Sequence, residues 1–220
     1  MLRPESETVR WYVENVKRFG YDYRSLGFGH KQSQQKRFEA VLRLGTLHEK
    51  SVLDAGCGFG DLLAFLRARG LRPRYSGIDI CPPMIARCHQ RFPASARRFV
   101  VGDVLDHHPG ERYDYVVASG LFGLNVPGAR ERIKPTLDRL FEWCRIGLVV
   151  NFLSLRTRRP ARARLYVEPG EMLEYALGLT PAVRLDHSYL PNDFTLLLHR
   201  TPAWEKSGEK SGRGPGERAA

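Results

Sequence analysis

From Ser51 onward, apolar runs of strand length alternate with segments that carry apolar residues at helical spacing, and this alternation restricts the fold more than any other property of the chain. The strand-like runs are SVLDA, YSGIDI, RRFVVGD, YDYVVASG and IGLVVNFLSL. Among them lie the helical patterns DLLAFLRARG, PPMIARCHQRF and ARERIKPTLDRLFEWC, and EPGEMLEYALG follows the last. A strand that returns to its sheet through a helix must run parallel to its predecessor, with the helix laid over one face. The expectation is an α/β fold on a mostly parallel sheet, doubly wound. VRLDHSY and FTLLLHR, separated only by LPND, then read as a closing hairpin with Pro191, Asn192 and Asp193 in its turn.

Three units are expected. Residues 1–50 read as an N-terminal helical lid. Val9, Tyr12, Val13, Val16 and Phe19 form one apolar stripe, Phe38, Val41 and Leu42 another, and the Gly- and Tyr-rich connector FGYDYRSLGFGHKQSQ joins them. Residues 51–202 hold the α/β core, for which 220 residues in all leave room only once. Residues 203–220, AWEKSGEKSGRGPGERAA, have almost nothing to bury and read as a disordered tail. MLRPESETVRW has no apolar secretory core, and no run approaches the ~20 apolar residues that cross a bilayer, so a cytoplasmic protein without membrane contact is expected. Cys57, Cys81, Cys88 and Cys144 form neither a CxxC pair nor a Cys/His cluster. Reduced thiols follow, with no disulfide and no metal.

SVLDAGCGFGDLL, residues 51–63, sets Gly56, Gly58 and Gly60 at alternate positions directly after the first strand. Glycines there permit a tight turn with positive φ and let a ligand rest on bare backbone. Ligands of open parallel sheets bind at the carboxyl ends of the strands, and three of those ends carry acids: Asp54, Asp79 and Asp103. Asp79, 19 residues past Gly60, stands where a carboxylate accepts both hydroxyls of a ribose. Asp103 is placed to accept from an exocyclic amine such as that of adenine, with Ile80, Met84 and Val104 as apolar faces for the ring. The spacing GxGxG differs from the GxGxxG of dinucleotide sites, and no Lys or Arg lies between Asp54 and Leu66 to meet a pyrophosphate. A phosphate-free, cationic ligand suits Asp54, Asp61, Asp79 and Asp103 better. S-adenosylmethionine is such a molecule.

In this order and spacing VLDAGCGFGDLL, GIDICPPMI, VVGDV and YDYVVASGLF resemble the successive motifs of the class I S-adenosylmethionine-dependent methyltransferases. The resemblance covers residues 51 to 155. It implies a Rossmann-like, seven-stranded sheet whose last strand is antiparallel, Gly56, Gly58 and Gly60 against the methionine part of the donor, Asp79 on the ribose and Asp103 by the adenine. Cys57 and Ser119 complete the expected donor contacts, and S-adenosylhomocysteine is the implied product. Within the family the chain is similar to the small-molecule branch likened to trans-aconitate methyltransferases.

Methyl transfer by in-line displacement requires alignment and exclusion of water more than acid–base chemistry. Tyr21, Tyr23 and His30 of the connector are the catalytic candidates, and Asn125, Asn151, Arg158, His187 and Tyr189 the acceptor-binding ones. ASGLFGLN lacks the [DN]PP[YFW] tetrad that holds an adenine or glutamine amide, and no Pro-Cys pair offers a thiolate for cytosine, so DNA is not an expected partner. The net charge of +11 concentrates in residues 145–164, where Arg145, Arg156, Arg158, Arg159, Arg162 and Arg164 stand without an acid. That run reads as a solvated loop, as a binder of a small anionic acceptor through bidentate guanidinium contacts, or as an RNA contact, although no aromatics interleave it for stacking. A small-molecule acceptor ranks first. An RNA methyltransferase using Arg156–Arg164 and an inactive, donor-binding regulatory protein are the alternatives.

Overall fold

The computed structural model describes residues 6–201. Two helices, α1 (Glu7–Phe19) and α2 (Lys31–Val41), precede the strands β1 (Ser51–Ala55), β2 (Arg74–Asp79), β3 (Phe99–Val101), β4 (Tyr113–Ala118) and β5 (Cys144–Ser154). The crossovers carry α3 (Asp61–Ala68), α4 (Pro82–Arg91) and α5 (Ile133–Trp143). A two-residue strand β6 (Tyr166–Val167), α6 (Pro169–Leu179) and the hairpin β7 (Val183–Leu190) and β8 (Asp193–His199) follow. The tail expected at residues 203–220 lies outside the described residues.

The sheet runs in the order β3-β2-β1-β4-β5-β8-β7, with β8 antiparallel to both its neighbours and the rest parallel. This is the doubly wound sheet with one reversed strand that the sequence predicts, plus β6 beside Leu153 and Ser154 of β5, beyond the point where β4 ends. Strand order reverses between β1 and β4, and the crevice over that reversal is where this architecture accepts ligands.

Burial on both faces explains the nearly continuous apolar strands. In β1 Val52 faces α3 and α4 with Leu62, Leu63, Leu66 and Ile85, while Leu53 and Ala55 face the α5 side with Leu137 and Leu140. The central strands repeat the alternation: Tyr115 and Val117 lie on the first face, Val116 and Ala118 on the second. A smaller cluster of Phe59, Cys81 and Met84 receives Tyr12, Val13 and Val16 of α1, so the N-terminal helix is packed onto the glycine turn.

Two boundaries differ from the sequence reading. KQSQ belongs to α2, and the connector ends at His30. The segment lacks apolar periodicity because it buries polar side chains, Gln34 and Arg37, and Lys and Gln favour the helix intrinsically. Asp193 is the first residue of β8, paired with Leu190, leaving Pro191 and Asn192 as the turn. Its side chain, 1% exposed, takes Arg37 Nη2 on Oδ1 at 2.6 Å and Nε on Oδ2 at 3.2 Å, which ties the N-terminal segment to the far end of the chain. Burial pushes the Asp193 carboxyl up, and Arg37 offsets this only in part. Removing one partner of a buried ion pair strands the other charge, so Arg37→Met should lower the unfolding free energy in urea by about 3–5 kcal/mol. Arg37→Met combined with Asp193→Leu should recover most of the loss; a single variant as stable as the parent would show that the pair holds nothing together.

Candidate functional site

The turn after β1 is built from three glycines in left-handed conformation, with φ of 76° at Gly56, 53° at Gly58 and 73° at Gly60. The amides of Gly56 and Cys57 donate to the Ile78 carbonyl, which fastens the turn to the end of β2. Asp79, the next residue, is buried. Its Oδ2 accepts the Gly58 N–H at 2.8 Å, its Oδ1 the Cys81 N–H at 2.9 Å, and its backbone carbonyl the Gly102 N–H at 2.9 Å. Burial raises the Asp79 pKa, and the backbone donors pull it back.

Over this turn opens a cavity enclosing about 1290 Å³, its mouth included. Of the expected donor contacts, Asp54, Gly56, Cys57, Gly58, Asp79, Ile80, Met84, Asp103, Val104 and Ser119 line it. Gly60 does not. A Cβ there would stand 2.7 Å from Phe92 Cε2, so its bareness serves the packing of α3 against α4, and what closes on the other two glycines is also protein: Leu121 over Gly56 and Leu26 over Gly58. The cavity is lined by Asp54, Asp61, Asp79 and Asp103; Arg91, behind the wall, pairs with Asp61 at 2.6 Å, and Arg132, which also lines the cavity, sets Nη2 2.6 Å from both Asp103 oxygens. The amine acceptor expected at Asp103 is therefore already engaged. Ser119 Oγ is buried without a hydrogen-bond partner among the described residues. An unpartnered hydroxyl and more carboxylates than cations fit a cationic sulfonium ligand and oppose a pyrophosphate.

Asp54 is buried beneath the turn and accepts a hydrogen bond from the Tyr75 hydroxyl. Burial pushes its carboxyl up to about 7, against the pull of that bond. A second chamber, lined by His30, Ser33, Arg37, Arg164, Tyr166 and Asp193 among others, adjoins the first through Tyr12, Leu26, Phe28 and Gly120.

The remaining sequence candidates are scattered. His30 lines the second chamber. Tyr21, 46% exposed, donates to Asp61 Oδ1 and packs edge-on to Phe59, outside both cavities. Tyr23 is half-buried and likewise lines neither. Asn125 donates to the Arg162 carbonyl, joining the loop after β4 to the arginine-rich loop. Asn151 is bonded to Thr195, Tyr189 to the same hydroxyl, and His187 to Ser154, and none of the three lines either cavity. Arg158 is exposed and enters neither chamber. Sequence reasoning did not name Tyr12, Leu26, Phe28, Arg37 or Arg164 as site residues, although Tyr12 lay in the helical stripe, Leu26 and Phe28 in the Gly- and Tyr-rich connector and Arg164 in the arginine run; only Arg37 stood outside every pattern singled out. Among the described residues no group of three or more His, Cys, Asp or Glu side chains is arranged to hold a metal ion, and no helix is long and apolar enough to cross a membrane.

A methyltransferase domain family model matches residues 52–146. A Mycobacterium tuberculosis protein that bears the name of a methyltransferase is 32% identical over 158 residues, 68% of this chain and 93% of that protein. Trans-aconitate 2-methyltransferase of Escherichia coli is 32% identical over 81 residues, 37% of this chain and 31% of that protein. By fold, the chain is similar to magnesium protoporphyrin IX methyltransferase from Synechocystis PCC 6803 with bound S-adenosylmethionine, at TM-score 0.64 and 17% identity over 90% of this chain and 100% of that one.

Because the folded pKa of Asp54 exceeds its ordinary 3.8, the native state keeps a proton that the unfolded state loses between about pH 4 and 7. Asp54 therefore subtracts stability progressively as pH rises through that window. The Tm of Asp54→Asn should fall less over the same range than that of the parent; parallel curves would mean that Asp54 is ionised throughout.

Proposed function

The chain belongs to the class I S-adenosylmethionine-dependent methyltransferases, and from this we propose that it transfers the donor's methyl group to a small, anionic molecule by in-line displacement. The observation that carries the reading is the pair of adjoining chambers, one acidic over the glycine turn and one cationic, which share Tyr12, Leu26, Phe28 and Gly120. S-adenosylmethionine, when bound, supplies an electrophilic methyl group on sulfur.

The residues divide the work by chemistry. The Asp79 oxygens take backbone N–H groups from the turn and from the start of α4, and a carboxylate retains acceptor capacity for the ribose hydroxyls. Ile80, Met84 and Val104 offer the adenine its apolar walls, and Asp103, oriented by Arg132, can accept its amine beside the guanidinium. Asp54 contributes negative charge under the cationic part of the donor once ionised. Leu26 and Phe28 belong to the connector between α1 and α2, so the described part of the N-terminal segment acts as the lid that keeps water from the reacting atoms, and Leu26 must yield where a ligand is to rest on Gly58. Tyr12, its phenol pushed up to about 12 chiefly by burial, stays protonated at the border and can donate but not act as a base. His30, at the outer chamber, is the histidine placed to take a proton if the acceptor carries one.

Methylation of RNA has less support. Arg156 is paired with Glu168 at 2.6 Å, and Arg164 turns inward to the Gly27 carbonyl, which removes two cations from any continuous basic surface.

Calorimetry tests the donor site. S-adenosylmethionine should bind the parent protein, more tightly as pH rises through about 7 because Asp54 then carries its charge. Asp79→Ala should weaken binding by about 1.5–3 kcal/mol, the cost of a lost charged acceptor. Unchanged affinity in a folded variant would remove Asp79 from the ribose.

A further inference from the structure

Resting on the methyl-transfer reading above, we propose that the second chamber is a carboxylate site, in which Arg164, aided by the free edge of Arg37 and the first turn of α2, anchors a carboxylate of the acceptor.

The charges facing this chamber are unequal. Arg37 uses Nε and Nη2 on Asp193, and its remaining amine, Nη1, points towards Gly120, 3.2 Å from where a Cβ of that glycine would stand. Arg164 bonds through Nη2 to the neutral Gly27 carbonyl at 2.5 Å and stands over the Trp11 ring, 5.4 Å from its centroid. Among the described residues no carboxylate pairs with it. Two guanidinium groups against one carboxylate leave the chamber one positive charge in excess. The start of α2 adds to this: His30 holds the N-cap position in extended conformation without a side-chain cap bond, so the first-turn amides lack a side-chain acceptor.

A guanidinium whose partner is only a carbonyl, at the wall of a chamber, is suited to a planar monoanion that takes two parallel N–H bonds. One excess charge balances a carboxylate. A phosphate dianion would exceed it and face Asp193 as well. A carboxylate held at Arg164 directs the rest of the molecule past Tyr12 and Phe28 towards the glycine turn, because these residues line both chambers. Arg164, and not the exposed Arg158 of the same run, is thereby the residue that selects the acceptor.

The test uses the full chain saturated with S-adenosylhomocysteine and titrated calorimetrically with succinate, citrate or inorganic phosphate. The carboxylates should bind the parent complex, phosphate more weakly, and Arg164→Gln should weaken the carboxylates by about tenfold or more, the size of a lost charge-assisted hydrogen bond. S-adenosylhomocysteine affinity should change by less than carboxylate affinity, since Arg164 does not itself line the donor cavity. If S-adenosylhomocysteine fails to bind the parent, the methyl-transfer reading falls and the proposal with it. If it binds but the carboxylates do not, or phosphate binds more tightly, or Arg164→Gln binds carboxylates as the parent does, the proposal alone falls. Should Arg164→Gln not fold, phenylglyoxal modification of Arg164 in the parent complex, read by peptide mass spectrometry, should slow several-fold with citrate and not with phosphate; equal rates would overturn the site.

Discussion

The Asp79 carboxylate accepts the Gly58 amide on one oxygen and the Cys81 amide on the other, while its backbone carbonyl accepts from Gly102. One residue thus holds three loops at the carboxyl edge of the sheet: the turn after β1, the entry to α4 and the exit of β3. The carboxylate is kept out of water, which is tolerable only because backbone donors meet it. The same arrangement ties the left-handed glycine turn to the end of β2, and Asp79 lines the cavity.

Charge is partitioned within a small volume. The chain as a whole is basic, yet four aspartates line the cavity over the glycine turn, offset by Arg132 on Asp103 and by Arg91 on Asp61. Beyond Tyr12 the balance changes sign, with Arg37 and Arg164 against Asp193. Protein interiors attenuate fields far less than water does, so this reversal over one side chain is felt by whatever occupies either chamber. A cationic donor and an anionic acceptor would each find the wall that attracts it, and their mutual attraction would draw the reacting groups together at the border.

The N-terminal segment joins these parts. Its α1 packs on Phe59, Cys81 and Met84, its connector lays Leu26 on Gly58, and its α2 reaches β8 through Arg37 and Asp193. Opening the donor cavity thus disturbs the second chamber as well. The linkage is physical, because Leu26 and Phe28 lie between a turn that demands bare glycine and a guanidinium that stacks on the Phe28 ring at 4.9 Å.

The alternation of apolar runs with helical patterns by itself determined the parallel sheet, the LPND break the closing hairpin and the alternate glycines the turn after the first strand, because periodicity and backbone freedom are local properties that need no partner, whereas the antiparallel last strand came with the family resemblance. The acids at the ends of SVLDA and YSGIDI were legible for the same reason: strand ends are marked in the chain, and Asp54 and Asp79 do line the cavity. Tertiary structure alone decided which polar residues converge. Nothing near Arg37 in sequence announces Asp193, 156 residues away, and nothing in RTRRPARAR distinguishes Arg164, which turns inward, from Arg158, which stays in solvent. Asn151, His187 and Tyr189, named as candidates to line the acceptor cavity, are bonded to Thr195 and Ser154 and line neither chamber. A side chain's type is written locally, whereas its partner is chosen by a fold that brings distant segments within a few ångströms.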